Sequence, residues 1–444
     1  MNKKTDVRFF PIFFGATLGV VLEVIATLVD EIIVGNILND EAFVAVNLIE
    51  PFMVFETFLA YLVTVAGAAL IVRAHGAGDR ERMSEIFSQT MIMCGICGTM
   101  LTLFYVLFTP QIVRFVADDP AVYEMALEYF EAIRFYPLVD MFDTFLFAYV
   151  LYRNGQAQFY IAIFLRIAVN ALLSWYLGVR MGLFGIGLAS IISLIVALSV
   201  KSTFIFSSKH SLKFRWHLNI REALEIAKLG FPESAISAYI VIMELAINGF
   251  ALNNYGVGGA AAVAVVINIF EFTLYISEGI SEYEIVAVND SIGKNSGRSM
   301  DKAIKTTITA AVAEGLVFIG LIFFASTVIP GAFDIDDENT FRLATNMLRI
   351  FAPTAVFICL SRVTAIFYQY TGRLPRTLIL FGMAIALLPV LFGMVFGQIM
   401  VEGIVAGMAL GPAAAMALMY GYVRFIKKEK LFDYTLMNLK LGCA

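Results

Sequence analysis

Charge is the scarcest feature of this sequence. Only 15% of its residues are Asp, Glu, Lys or Arg, against about 25% in soluble domains, and its mean hydropathy is +0.83. A chain this poor in charge cannot cover a water-soluble surface, so a polytopic membrane protein is expected. Neither sign is in large excess: a formal charge of −5 gives no basic footprint, and nucleic acid is not an expected partner. Histidine is limited to His75, His210 and His217, all expected in loops. Cys94 and Cys97 form one C-x-x-C inside the apolar run MIMCGICGTMLTLFYVLF, with no second pair and no nearby His. That argues against zinc and dithiol chemistry and in favour of small residues packing between helices. Without a nucleophile motif, a phosphate-cradling loop or a metal-ligand cluster, no catalytic residue, metal or cofactor is expected, and an integral-membrane enzyme is the rival set aside. The opening MNKKTDVRFF has no small-residue cleavage site and its apolar part is too long for a signal peptide, so the first helix is expected to be retained.

What the chain has is long apolar runs. They lie near 9–34, 45–72, 86–108, 122–150, 157–179 and 184–206, and again near 222–250, 259–288, 303–326, 341–370, 375–397 and 402–425. Each is about long enough to cross a hydrocarbon core of about 30 Å as a helix. The expected fold is an all-α polytopic membrane protein of about 12 transmembrane helices. The N-terminal tail and every second loop hold nearly all the Lys and Arg outside the spans, whereas the intervening loops hold Arg114, Arg180 and Arg342. The positive-inside rule then puts both termini in the cytoplasm of a cell-membrane protein.

The chain repeats itself at a separation of about 218 residues. FVADDPAVYEMALEYF at 115–130 aligns with FDIDDENTFRLATNML at 333–348, and the same offset takes Tyr152 to Tyr370 and Gly185 to Gly403. Earlier in each half, at about 221, Pro11 falls on Pro232 and Glu23 on Glu244. Six spans per half is an even number, so the halves share one orientation, as two six-helix bundles related by a pseudo-twofold axis along the membrane normal. The expected organisation is an N-lobe over 1–206, a cytoplasmic linker over 207–221, a C-lobe over 222–426 and a cytoplasmic tail over 427–444.

The first span is the most informative, because FFGATLGVVLEVIATLVDEIIVG carries three carboxylates. Glu23, Thr27 and Asp30 share one helical face, with Glu31 about 100° away. An ionised Asp near the bilayer centre costs about 3 kcal/mol, a cost usually tied to function. The stripe is expected to face a water-filled cavity where Asp30 takes and releases a coupling cation; the alternative is a carboxylate held near the surface by an Arg. In the eighth span Glu271, Glu278 and Glu282 share a face with Tyr275, and Glu244 and Glu314 are candidates for the same volume. Glu23, Glu244, Glu271 and Glu278 are the candidate substrate or secondary proton residues. Glu282 and Glu284 have a simpler reading as solvated groups near the cytoplasmic end. Asp140, Asp143 and Arg166 read as a structural ion pair, Glu50 as a helix-start residue before Pro51, and Glu56 and Glu131 stay open. Arg349 and Arg362 are candidates to neutralise C-lobe glutamates. Forty Phe, nineteen Met and eighteen Tyr would suit a cavity for flat, greasy cations, although most should face lipid or other helices.

The motifs TLVDEIIVG, LIEP, RAHGAGDRER, RIAVNALLSWYLGVRMGLFGIGLAS, KLGFP and SIGKNSGR, spread over nearly the whole chain, resemble those of the multidrug and toxic compound extrusion (MATE) transporters of the MOP flippase superfamily. The resemblance implies two six-helix lobes around a V-shaped cavity, a chain that works as a monomer, and export of small organic compounds by antiport with H+ or Na+. It makes Asp30 the cation-binding aspartate of the N-lobe and Asn170 the fifth-helix asparagine beside it. Ser174 stands where the family often has a second aspartate, Glu244 is further from Pro232 than the family's seventh-helix glutamate, and the tenth span has no acid. Those departures favour protons over Na+. The nearest rival is a lipid-linked oligosaccharide flippase of the same superfamily, which needs a cationic cavity where this chain's mid-span charges are mainly acidic.

Overall fold

The computed structural model describes residues 7–38, 40–117, 119–153, 155–206, 212–216, 218–333, 335 and 337–434; the side chains at 23–32, 35–37, 40, 41 and 43 are outside the described set. Among the described residues all regular structure is helical. In a bilayer no water competes for backbone amides, so each span must close its hydrogen bonds within itself.

The first half runs α1 (Phe9–Ile37), α2 (Asp40–Ala77), α3 (Arg80–Val116), α4 (Pro120–Ile133), α5 (Tyr136–Tyr152) and α6 (Gln156–Phe206). The second runs α7 (Ile220–Ile276), α8 (Glu278–Gly293), α9 (Gly297–Ala325), a one-turn α10 (Ile329–Ala332), α11 (Glu338–Phe351), α12 (Thr354–Tyr370), α13 (Leu374–Phe381), α14 (Leu388–Phe396) and α15 (Val401–Gly421). A π-helical turn, Gly382–Leu387, joins α13 to α14. Gly182 (φ 57°) breaks α6 and Gly256 (φ 67°) breaks α7, each at a left-handed backbone conformation that favours glycine. Counting each broken helix as two spans, with α7 continuing into α8, and joining α4 to α5, α10 through α12, and α13 to α14, gives twelve spans, six per half.

The repeat is carried by punctuation as much as by apolar pattern. Asp119 caps α4 by accepting from the amides of Ala121 and Val122, and Asp337 caps α11 by accepting from Thr340. Both helices then break before the next begins, at Arg134–Phe135 and at Ala352–Pro353, the second with a 48° bend. In RAHGAGDRER, Gly78 (φ 81°) ends α2 while the Asp79 amide donates back to Ala74 O at 3.0 Å, and Asp79 then caps α3. In SIGKNSGR, Asn295 (φ 49°) takes the same role, the Ser296 amide reaches Ser291 O at 3.1 Å, and Ser296 caps α9. Both are helix-ending turns closed by a left-handed residue. Glycine also sets the same crossing twice. A Cβ on Gly98 of α3 would lie 3.0 Å from Leu138 Cα of α5, and one on Gly315 of α9 would lie 2.5 Å from Val356 Cα of α12.

The chain divides into two compact units, residues 1–234 and 235–444. The start of α7 packs with the first unit, where Gly230 lies against the Leu62 carbonyl. Each unit ties a following segment onto its own third span. Residues 212–216, 218 and 219 run along the start of α3, with Lys213 N donating to Ser84 Oγ, Arg215 N to Ser88 Oγ and Asn219 N to Gln89 Oε1. Residues 427–434 return to α9 and α13, with the Tyr434 hydroxyl donating to Asp301 Oδ1 and Glu429 paired with Arg376. His75, expected in a loop, sits in the last turn of α2 because that helix runs past the apolar stretch; His210 and His217 lie outside the described residues.

Candidate functional site

The first unit holds a polar cluster inside an apolar bundle. From α2 comes Glu56, with no accessible surface; from α5 come Asp140 and Asp143; from α6 come Arg166, Asn170, Ser174, Ser190 and Lys201. Lys201 donates to Asp143 Oδ2 at 2.6 Å and reaches the Asp143 carbonyl at 3.4 Å, with both side chains almost wholly buried. Arg166 donates to the Tyr136 hydroxyl at 3.1 Å, and Thr144 to Asp140 Oδ2 at 3.2 Å. Asn170 donates to Ser190 Oγ at 3.3 Å, the Ser190 hydroxyl donates to Ile186 O at 3.2 Å, and Ser174 is fully buried one turn beyond Asn170. A small cavity beside them is bounded by Gly19, Phe147, Ile163, Arg166 and Lys201.

Asp30 and Glu23 lie within α1, but their side chains are outside the described residues. The packing of α1 on α6 nevertheless sets a backbone register. Gly15 meets Phe159 and Tyr160, and Gly19 meets Ile163. Over these contacts the two segments advance in step.

The reading of Asp140, Asp143 and Arg166 as one ion pair is changed in its partners. The cation bonded to Asp143 is Lys201, a residue that the sequence argument passed over although it is an isolated Lys in the apolar run 184–206. A lone ionisable residue in such a run is itself a signal of a buried partner. Glu131 is exposed, as is Glu50. Glu128, on α4, accepts from the Phe184 amide at 3.2 Å and so caps the helix that restarts after Gly182.

In the second unit the central charge is basic. Arg362 of α12 is buried, donates from Nε to Ser281 Oγ at 2.9 Å and from Nη1 to the Leu274 carbonyl at 3.1 Å, and stands 4.0 Å from Glu278. Cys359 donates its S–H to Glu314 at 3.8 Å. Glu244 and Glu271 are half-buried on α7, and Tyr275 is exposed. Glu282 and Glu284 are buried, so the solvated reading of those two does not hold. Arg349 is not a partner of C-lobe glutamates: it donates to Ser326 Oγ at 3.0 Å and lies over the Phe323 ring.

A family model described as MatE matches residues 16–176 and 234–399. Among curated proteins, "Probable multidrug resistance protein YoeA" of Bacillus subtilis strain 168 is 25% identical over 428 residues, covering 92% of this chain and 91% of its own. Among solved structures, a MATE protein crystallised in a bent conformation superposes with a TM-score of 0.85 at 19% identity, covering 94% of this chain and 95% of that one. A MOP superfamily transporter from Pyrococcus furiosus, described as having a binding pocket of reverse polarity that suggests a different function, superposes at 0.83 with 18% identity, covering 95% and 96%. At such identities the solved structures speak for the fold alone.

Proposed function

The chain belongs to the MatE family of multi-pass membrane transporters and is not an enzyme, and from that premise we propose that it is a monomeric secondary antiporter of the cell membrane, with both termini cytoplasmic, that exports amphipathic cationic compounds in exchange for H+ rather than Na+. The observation that carries the reading is the Asn170–Ser174 pair, buried and polar on α6, the helix that packs along α1. A hydroxyl at Ser174 leaves Asp30 as the one carboxylate among these three residues. A single carboxylate suits a proton, which needs one oxygen, better than a hard cation that takes several oxygen ligands. Export of drugs is supported by the printed name of the Bacillus relative.

In the proposed cycle the outward-open protein admits a proton to Asp30. Its neutralisation removes the electrostatic hold on a cationic substrate, which leaves to the outside. Rebinding substrate from the inside then requires Asp30 to be empty. One charge moving across 100 mV supplies about 2.3 kcal/mol, enough for a gradient of roughly fiftyfold in an electrically silent substrate, whereas a monovalent cation exchanged one for one moves no net charge and is driven by the pH difference alone. The flippase reading has less support, since a pyrophosphate headgroup needs cations to spare and Lys201 and Arg362 each face a carboxylate.

The test is ethidium transport in liposomes under imposed pH or Na+ gradients, with Asp30→Asn beside the native chain. Efflux should follow the pH gradient and collapse at least tenfold in the variant. Transport by Asp30→Asn at the native rate would make Asp30 structural and move the search to Glu244, Glu271 and Glu278.

A further inference from the structure

Glu56 is fully buried in α2, and neither of its carboxylate oxygens has a hydrogen-bond donor among the described residues. The group within hydrogen-bonding reach of it is another carboxyl, Asp140 of α5, with Arg166 of α6 acting on it electrostatically. Two carboxylates have no hydrogen to share. They can bond only when one of them carries a proton, and like charges that close are strongly unfavourable.

The charge count of the cluster points the same way. Lys201 interacts with Asp143, Arg166 and Asp140, so five ionisable groups form one connected set: Glu56, Asp143 and Lys201, which are buried, and Asp140 and Arg166, which are half-buried. Three are acids and two are bases. Lys201 is committed to Asp143 at 2.6 Å, which leaves one guanidinium for two carboxyls. A single proton makes the set neutral, and an unbalanced buried charge is the costly alternative. Among the described residues, the α3 and α4 neighbours Tyr105, Cys94 and Phe130 are not cations. From α3 the pair meets Tyr105, whose hydroxyl is spent on Phe52 O, and Cys94. From α4 the contact one turn away is Phe130 against Phe52. The side chains of Glu23, Asp30 and Glu31 on α1 are outside the described residues.

We infer that the Glu56–Asp140 carboxyl pair, with the Arg166 guanidinium acting on it, is a proton-binding site of the first unit, separate from Asp30, that holds one proton in this state and exchanges it with water when the lobe opens. On release the carboxyl O–H bond breaks, the proton passes to water and the set goes from neutral to −1, with Arg166 left to face both carboxylates. That this proton is one of those carried per transport cycle rests on the antiporter reading; its binding does not.

Two measurements on the full chain in bilayers separate those statements. Infrared difference spectra taken as pH is raised report protonated carboxyl groups directly. The native protein should have a protonated-carboxyl band near neutral pH that is reduced in both Glu56→Gln and Asp140→Asn and retained in Asp30→Asn. A band unchanged in both Glu56→Gln and Asp140→Asn would overturn the site, and using two near-isosteric variants guards against one failing to fold. The second measurement is the proton-to-ethidium ratio under a pH gradient, which should fall by one in Glu56→Gln while Asp30 remains. An unchanged ratio, with the band lost, would make the proton a fixed structural one and overturn its exchange. If the native chain moves no ethidium on a pH gradient, it is the antiporter reading that fails, and the infrared titration still decides the pair.

Discussion

The two halves share a scaffold and oppose their chemistry. Gly98 against Leu138 and Gly315 against Val356 are the same crossing, and the Asp119 and Asp337 caps are the same helix start, each at the repeat spacing. On the helices that follow, the charges are not repeated. Asp140 and Asp143 of α5 correspond at that spacing to Ile358 and Ser361 of α12, while Arg362 of α12 corresponds to Thr144. The first unit therefore surrounds two central acids with Arg166 and Lys201, and the second surrounds a central base with Glu278 and Glu314. Backbone features that decide whether helices meet have been kept, whereas side chains that decide what they bind have been free to diverge.

The largest effect should come from breaking the tighter of the two centres. Lys201→Met would leave Asp143 buried without its cation, at about 3–5 kcal/mol. Arg362→Met removes a longer ion pair and two hydrogen bonds to neutral oxygens, so about 1–3 kcal/mol is expected. Thermal unfolding in one detergent, at equal lipid content, compares them. The double variant Lys201→Met/Asp143→Leu should recover most of the first loss. If Arg362→Met is the more damaging change, the basic centre, not the Lys201 pair, is the stronger of the two.

A smaller effect should separate the two glycine crossings. On Gly315 a methyl would stand 2.5 Å from the Val356 backbone, which cannot step aside without moving α12, so Gly315→Ala should cost about 1–3 kcal/mol. On Gly98 the nearest atom is at 3.0 Å, and a shift of a few tenths of an ångström relieves it. Gly98→Ala should therefore melt measurably closer to the native chain. Equal losses would mean that the two crossings are equally tight in the membrane.

The spans and the repeat were legible in the sequence because each depends on local pattern: apolar length and fixed spacing. Partners were not legible. Lys201 and Asp143 are 58 positions apart and meet because α6 turns back at Gly182; the gap between the runs 157–179 and 184–206 marks that break, but not which face of the second run Lys201 takes. Glu282 and Glu284 looked like surface groups beside NDSIGKNSGR, yet α8 buries both by packing on α9 and α12. The site residues on α5 and α6 could be named one by one, but which carboxyl faces which cation is a property of helix rotation, and in an all-round apolar helix no sequence moment fixes that rotation.

The smallest effect concerns the two straps on the third spans. Residues 212–216, 218 and 219 are held to α3 by Ser84, Ser88 and Gln89, none of which titrates, with solvent-exposed ion pairs from Arg215 to Glu81 at 2.8 Å and Glu85 at 3.7 Å contributing little beside them. The strap 427–434 depends on Glu429, whose carboxyl is held below its ordinary value by the hydrogen bond from Arg376 at 2.7 Å, with Arg373 at 3.7 Å adding to it. A carboxylate with a lowered value in the docked state contributes its full stabilisation above its ordinary value near 4.5, and loses it as pH falls through the lowered one. Hydrogen exchange at 427–434, corrected for intrinsic rates, should thus stay protected from neutral pH down to that range and fail below it, whereas 212–219 should change little over the same interval. Glu429→Gln should expose 427–434 already at neutral pH. Parallel loss from both straps on acidification would instead point to loosening of the helix ends beside them, and the Glu429 latch would no longer distinguish the second unit from the first.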